Sequence, residues 1–177
     1  MFKYIIIGIV LLIIAIAVSL YVISKNRFKR KEAKIEEAVK QINELLNDKY
    51  QSLITVNNLI KEKTNEDFLA NLEDIKIEEL DMFDFQNELS KYDVDIIELT
   101  EFNKDIKFEE SDVEELDKLT KINIDCNAAV EYYNDNVETY NNLTTKFPYN
   151  IVAKMNKCKK KDLFVSQKEE MFEILKK

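Results

Sequence analysis

Residues 4–23 of the chain read YIIIGIVLLIIAIAVSLYVI, a run of 20 residues without a charge in which 14 are Ile, Leu or Val. A helix rises about 1.5 Å per residue, so about 20 residues cross the roughly 30 Å hydrocarbon core of a bilayer. At about 0.3 to 0.6 kcal/mol per side chain, the aliphatic residues together favour insertion by roughly 4 to 8 kcal/mol. The sequence therefore predicts a transmembrane helix over residues 4–24.

The basic residues that follow the apolar run predict its orientation. Five of them lie directly after it, against one Lys and the terminal amine before it: Lys25, Arg27, Lys29, Arg30 and Lys31. Because basic flanks stay on the cytoplasmic side, we expect residues 1–3 outside the cell and residues 25–177 in the cytoplasm. Residues 25–34 then form a basic juxtamembrane segment that can rest on anionic headgroups.

A cleavable signal peptide is the alternative explanation of the same run. Lys3 would be its charged start, and Ala15-Ile16-Ala17 resembles a cleavage site built from small residues. However, apolar residues continue through Ile23, whereas a cleavage site normally ends the apolar region. We therefore favour an uncut anchor.

The composition predicts helices and argues against most enzyme chemistry. The 177-residue chain has no His, one Gly at position 8 and one Pro at position 148. Hairpins and phosphate-binding loops usually need Gly, while a Ser-His-Asp triad or a His metal ligand needs His. Cys126 and Cys158 lack the spacing of a zinc site, and we expect both to remain reduced thiols. We predict no catalytic residue, no cofactor and no bound metal.

Charge is divided unequally along the chain. Six of the 26 Lys and Arg lie in residues 1–31, which contain no acid, so residues 32–177 carry 20 basic and 34 acidic residues, a net charge of −14. We expect no nucleic-acid partner, because phosphate repels such a surface. Residues 66–117 hold 20 of the acids and four Lys, and they form either a solvated helix face or a docking face for a basic partner. Glu78, Glu79 and Asp81 are also candidate oxygen ligands for a divalent cation.

Runs with apolar residues every seven positions predict long helices. The first run follows the apolar segment without a breaker and has Lys49 in an apolar place. Its stripe comprises Ile35, Val39, Ile42, Leu46, Leu53, Val56 and Ile60. The second run begins at Thr64 or Asn65, and its phase slips near Glu79, where the helix either shifts its packing or breaks in two.

The third run has the clearest boundaries. It begins at the capping box Ser111–Glu114 and ends before Pro148, which cannot continue a helix. Its seven-residue line comprises Leu119, Cys126, Tyr133, Tyr140 and Phe147. We expect residues 103–110 to form the preceding loop, and a second capping box at Ser166–Glu169 predicts a short last helix to Lys177.

We therefore predict an all-α fold, in which an N-terminal transmembrane helix leads into an elongated antiparallel three- to four-helix bundle. Residues 35–153 form the bundle, and residues 154–177 form a Lys-rich link and the short last helix. Pairing of the stripes between chains as a coiled coil is the alternative, but Tyr and Cys are poor seam residues. Three long passes would place Phe147 far from the bilayer, with the Lys-rich segment 154–161 solvated or facing a partner.

A polar motif is repeated on the third run and extends beyond Pro148. It consists of two Tyr-Asn pairs seven residues apart, then Phe-Pro, an Asn and an apolar-apolar-Ala step: Tyr133-Asn134, Tyr140-Asn141, Phe147-Pro148, Asn150 and Ile151-Val152-Ala153. These residues resemble the LemA family of bacterial membrane-anchored helical proteins. The resemblance implies a helical bundle on a cytoplasmic-membrane anchor and carries over no established activity.

The chain departs from the family's pattern at three places. The family usually has Pro-Asn, a pair of arginines and Phe-Gly-Phe where this sequence has Thr55-Val56, Val130-Glu131 and Asn156-Lys157-Cys158.

The Tyr-Asn pairs have a structural and a functional interpretation. In the structural one, Tyr133 and Tyr140 fill the helix seam, while Asn134 and Asn141 bond across to a neighbouring helix and fix its register. In the functional one, the pairs form a shared polar recognition patch. We favour the structural interpretation, because buried polar groups usually serve packing specificity.

These observations together suggest a non-enzymatic, membrane-anchored scaffold or protein-interaction module. Its expected partners are the lipid bilayer and unidentified proteins, and a second copy of the chain is a further candidate. The alternatives are a self-assembling, membrane-organising protein and a carboxylate-dependent protein that binds divalent cations.

Overall fold

The computed structural model describes residues 2–65, 67–102 and 106–164, without the side chains of 94 and 97–102, and it is built from helices. The elements are α1 Phe2–Thr64, a 3-10 turn Ile77–Glu79, α2 Met82–Phe102, α3 Glu110–Thr145 and α4 Tyr149–Met155. These residues contain no strand, so the predicted all-α class is confirmed. Residues 106–109 of the predicted loop 103–110 are not helical, and Glu110 begins α3. Residues 103–105 of that loop and the last helix predicted from Ser166 lie outside the described residues.

Helix α1 carries the apolar segment and the first stripe in one unbroken element of 63 residues. From Phe2 to Leu20 every large apolar side chain is exposed, whereas from Phe28 onward the stripe is buried. The buried residues are Phe28, Ile35, Ala38, Ile42, Leu46, Leu53, Val56 and Ile60. Among the described helices, α1 alone is long and apolar enough to cross a membrane; its most apolar window has a mean hydropathy of 3.1 and none of it is buried. Six of the seven predicted stripe residues are buried and Val39 is half-buried, and the unbroken connection to the apolar segment is confirmed.

The residues group into two compact units of opposite charge. Among the described residues, the first unit comprises 2–37 and 132–163, and the second lies within 38–131 and includes Phe164. The first unit contains 13 Lys and Arg against 6 Asp and Glu, a net charge of +7. Residues 38–131 contain 10 Lys and 25 Asp and Glu, a net charge of −15.

In the second unit the chain turns back at the end of α1 instead of starting a new helix. Asn65 has a φ of 57°, and the chain after it forms turns, so the predicted helix start at Thr64 or Asn65 is wrong. The Asp67 carboxylate accepts hydrogen bonds from Asn57 at 3.0 Å and Lys61 at 2.6 Å. These bonds fasten the returning chain to the helix it has just left.

The returning chain, residues 67–81, forms an additional pass of the bundle, a segment that leads from the end of α1 back to the start of α2. The sequence analysis does not predict it. At the start of α2 the Phe85 ring lies 6.2 Å from that of Tyr50 on α1. Helix α3 starts near the far end of α1, where Asp112 pairs with Lys63 at 2.5 Å. Helix α2 therefore runs parallel to α1, and α3 runs antiparallel to it.

Helix α3 begins before the residue predicted to cap it. It starts at Glu110, so Ser111 lies inside the first turn and the predicted capping box with Ser111 at its head is wrong. The Asp112 carboxylate accepts a hydrogen bond from the Glu109 N–H at 2.6 Å. Asp112 therefore takes the role of the acidic residue in a capping box, which accepts a hydrogen bond from the N–H group before the helix. Lys63 of α1 forms an ion pair with the same carboxylate.

In the first unit α3 returns to the apolar segment, which corrects the predicted position of Phe147. The Tyr140 ring packs edge-on against Phe28, with 5.4 Å between the ring centres. Phe147 lines a groove whose other wall is residues 17–24 of α1. The prediction that Phe147 lies far from the apolar segment is wrong, because the additional pass of residues 67–81, which contains no α-helix, reverses the direction of every later element.

Candidate functional site

The two motif tyrosines are buried on α3, and each hydroxyl has a partner. Tyr140 is 2% exposed, and its hydroxyl donates to Glu32 Oε1 at 3.1 Å. Tyr133 donates its hydroxyl to the backbone oxygen of Asp162 at 3.0 Å. Burial raises the pKa of both phenols, and for Tyr140 the hydrogen bond with Glu32 raises the pKa further. Both side chains therefore stay neutral at physiological pH and serve as packing and hydrogen-bonding groups.

Asn141 binds the backbone of the Lys-rich segment. Its Nδ2 donates to the Lys161 oxygen at 2.8 Å, and its Oδ1 accepts from the Lys161 N–H at 2.9 Å. The amide thus pairs both backbone groups of one residue, as a neighbouring strand would. The expected partner was a neighbouring helix, whereas the observed one is the chain after α4. Asn134 is half-buried on the same helix.

A turn after α4 directs this segment back onto α3. The Cys158 N–H donates to the Ala153 oxygen at 2.9 Å, and the Lys157 N–H donates to the Lys154 oxygen at 3.3 Å. This pair of bonds is the Schellman motif, whose penultimate residue is usually Gly. Lys157 occupies that place with a φ of 55°, so the turn forms although Lys stands where the family often has Gly.

The Phe-Pro-Asn part of the motif forms the corner between α3 and α4. Phe147 is 77% exposed, and Pro148 follows it through a cis peptide bond. The Asn150 N–H donates to the Lys146 oxygen at 2.9 Å. The Asn150 Oδ1 atom is buried and has no hydrogen-bond partner among the described residues.

The five basic residues predicted at the membrane surface have different surroundings. Arg27 donates to the Tyr149 hydroxyl at 2.7 Å, and its guanidinium lies 5.2 Å from the centre of that ring. Lys31 is half-buried and donates to Asn136 Oδ1 at 2.9 Å. Burial, and then the charges of Lys34 and Arg27, lower the Lys31 pKa. The other three are exposed: Lys25, Lys29 and Arg30.

The second unit contains a buried ion pair where the first apolar stripe is interrupted. The Lys49 side chain is 2% exposed, and its Nζ lies 2.6 Å from Asp93 Oδ2. Asn123 donates to the other Asp93 oxygen at 3.1 Å, so the cluster joins α1, α2 and α3. Burial raises the pKa of the nearby Cys126 thiol to about 11. A thiol in that state is a packing group and not a nucleophile. Neither Cys126 nor Cys158 is in a disulfide in this structure.

Two of the three acids considered for a divalent cation, Glu79 and Asp81, are engaged in local structure, and Glu78 is exposed. Asp81 Oδ1 accepts hydrogen bonds from the N–H groups of Phe83 and Asp84, each at 2.9 Å, and so caps α2. Glu79 pairs with Lys76 at 3.3 Å. In the part of the chain that the structure describes, no three His, Cys, Asp or Glu side chains form a group that could hold a metal ion. The cation-binding alternative gains no support from this geometry.

A family model describes most of the chain. The model of the LemA family matches residues 23–174. The chain belongs to the LemA family. The match begins at the end of the apolar segment and includes every residue of the Tyr-Asn and Phe-Pro motifs, so the predicted resemblance is confirmed. The chain has no match among curated proteins and none among solved structures.

Two of the polar contacts that the sequence analysis missed in this LemA-family protein differ in the signal that the sequence gives. One is the bond between Lys31 and Asn136, for which the sequence offers no signal because both residues fit a solvated helix face. The other is the pair of Lys49 and Asp93. Here the sequence does give a signal, since Lys49 interrupts an apolar line, but it does not single out Asp93 among the acids of residues 66–117.

Proposed function

We propose that this protein is a single-pass protein of the bacterial cytoplasmic membrane whose helical domain is a non-enzymatic scaffold for other proteins. Membership of the LemA family and the apolar part of α1 fit a membrane-associated protein. The observation that carries the proposal is the continuity of α1. Its uncovered apolar segment passes directly into the buried stripe, so the same helix serves as anchor and as framework of the domain.

The charge of the first unit supports a cytoplasmic domain. Lys25, Lys29 and Arg30 are exposed within the first two turns after the apolar segment, and the unit as a whole carries a net charge of +7. Basic residues near a span favour the cytoplasmic side. Residues 1–3 are then outside the cell.

The charge of the second unit supports a scaffold role. The chain that returns from α1 and the first turn of α2 together expose a series of acids: Glu73, Asp74, Glu78, Glu79, Asp81 and Asp84. Such a surface steers basic partners toward it and repels acidic ones.

Protease protection tests the anchor and its orientation. In spheroplasts carrying the full chain, we expect external protease to leave residues 32–177 intact, and in inverted vesicles we expect it to digest them. Digestion in spheroplasts would contradict the orientation. Recovery from the culture medium of a chain that begins at Val18 would contradict the anchor and establish the signal-peptide alternative.

Crosslinking in intact membranes, followed by mass spectrometry, tests the scaffold role. Glu78→Lys with Glu79→Lys reverses part of the acidic surface, and Glu36→Lys with Glu37→Lys is the matched control on exposed residues of the first unit. We expect the first variant to lose protein crosslinks that the second retains. Partners no more reproducible than those of a span-only chain would refute the scaffold, and crosslinks only between copies of the chain would favour the self-assembling alternative.

A further inference from the structure

The outer face of α4 is apolar, and no described residue covers it. Ile151 and Met155 are four residues apart and lie on one side of α4, and Phe147, at the corner before the helix, lines the same groove. Phe147, Ile151 and Met155 are 77%, 51% and 67% exposed, whereas Val152 and Ala153 on the inner side are 5% and 2% exposed. Large contiguous apolar surfaces on a protein mark sites of interaction with another protein or with a membrane.

This face is continuous with the apolar segment of α1. A groove of about 410 Å³ lies between them and is lined by Val18 and Tyr21 of α1 together with Phe147 and Met155. The α1 residues of the groove, 17–24, cover about 12 Å at a rise of about 1.5 Å per residue. An amphipathic helix at a membrane surface buries its apolar face by about 5–10 Å. The face of α4 therefore lies at the depth where the proposed span leaves the hydrocarbon.

Basic residues surround the same face. Residues 139–161 contain six Lys and no acid, and the exposed members of this set are Lys146, Lys154, Lys157, Lys159 and Lys160. Arg27 fixes α4 to α1 through its bond to Tyr149. Lysines near a membrane surface gain about 1 kcal/mol each from anionic lipids. Apolar side chains ringed by lysines match an anionic bilayer better than they match an apolar protein surface.

We propose that residues 147–155 are a second membrane contact. Phe147, Ile151 and Met155 enter the boundary between headgroups and acyl chains in the leaflet where α1 leaves the bilayer, and the lysines rest on anionic headgroups. This inference rests on the proposed span and adds a lipid-binding role for the segment that contains the family's Phe-Pro motif.

Tryptophan fluorescence in vesicles tests the proposal, because the chain contains no Trp and a single introduced Trp reports one site. Ile151→Trp is the probe and Met155→Trp is the second probe. Ile124→Trp is the matched control, since Ile124 is 63% exposed on the second unit, and Leu12→Trp reports the span. Each full-length variant is reconstituted into vesicles of phosphatidylcholine and phosphatidylglycerol, with and without bromine on the acyl chains.

We expect bromine to quench Trp at positions 151 and 155 almost as strongly as at position 12, and to leave Trp at position 124 unquenched. Omitting phosphatidylglycerol should weaken the quenching at 151 and not at 12. Quenching of Trp at position 12 only, and not at positions 151 and 155, would overturn the proposed membrane contact of residues 147–155 and leave the proposed span in place. A blue-shifted but unquenched Trp at 151 would mean that protein, such as a second copy, covers the face. No quenching at 12 would refute the proposed anchor itself, and equal quenching at 151 without phosphatidylglycerol would refute the role of the lysines.

Discussion

Removal of the Asp93 carboxylate should cost more stability than removal of its partner Lys49. In Asp93→Ala the Lys49 ammonium, with a side chain 2% exposed, loses its counter-ion inside the helices, and breaking a buried pair in this way costs about 3–5 kcal/mol. In Lys49→Met the remaining carboxylate is 22% exposed and still accepts from Asn123. We expect a smaller loss of about 1–2 kcal/mol there. Lys49→Met combined with Asp93→Leu should be neutral or more stable than the parent by up to about 4 kcal/mol.

Urea unfolding of the full chain in detergent micelles, followed by circular dichroism, measures these differences. The exposed pair of Lys40 and Glu44, with side chains 80% and 67% exposed, supplies the control. Glu44→Ala should change stability by less than about 1 kcal/mol. The argument fails if Asp93→Ala and Lys49→Met cost the same, because burial of the ammonium is what separates them. It also fails if the double variant is as unstable as Asp93→Ala.

Three other outcomes are expected from the same contacts. The hydrogen bond from Lys63 lowers the Asp112 pKa below its usual 3.8. This carboxylate therefore stabilises the fold above pH 3.8, and the stabilisation is lost as the pH falls through the lowered pKa. The urea midpoint of Asp112→Asn should fall less in acid than that of the parent, and parallel curves of midpoint against pH would contradict this. Lys157→Gly should stabilise the protein by roughly 1 kcal/mol, because Gly accepts the φ of 55° more readily, and a lower melting temperature would contradict it. At neutral pH a maleimide should label Cys158 in the folded protein and spare Cys126, because burial raises the pKa of the Cys126 thiol to about 11. Mass spectrometry that finds both cysteines labelled equally fast would contradict the packing.

The helical stripes were predictable because burial follows their periodicity. Ile42, Leu46 and Val56 were placed on one face of α1 by their spacing, and all three are buried. The pass of residues 67–81 was not predictable in the same way. Leu69 and Leu72 are three residues apart and buried, a spacing that a helix and a series of turns satisfy equally well, so periodicity alone could not distinguish them.

The motif residues were predictable as buried groups, but their partners were not. Tyr133 and Tyr140 fall on the apolar line of α3, and the sequence therefore placed them in the seam. The partners of Tyr133 and Asn141 are backbone atoms of Asp162 and Lys161. Every residue carries such atoms, so no side-chain pattern could indicate which segment would bind there.

The number of passes decides which charges share a unit. Three passes would have taken the end of α3, and the lysines after it, away from the apolar segment. The additional pass through residues 67–81, fastened by Asp67 to Asn57 and Lys61, gives four passes and brings the lysines of 154–161 into the unit that contains Lys25–Lys31. The sequence already separates a basic start from an acidic middle, and the pass of residues 67–81 adds the lysines after α3 to the basic unit. Because anionic lipids attract basic residues, this grouping is what the proposed lipid contact of residues 147–155 requires.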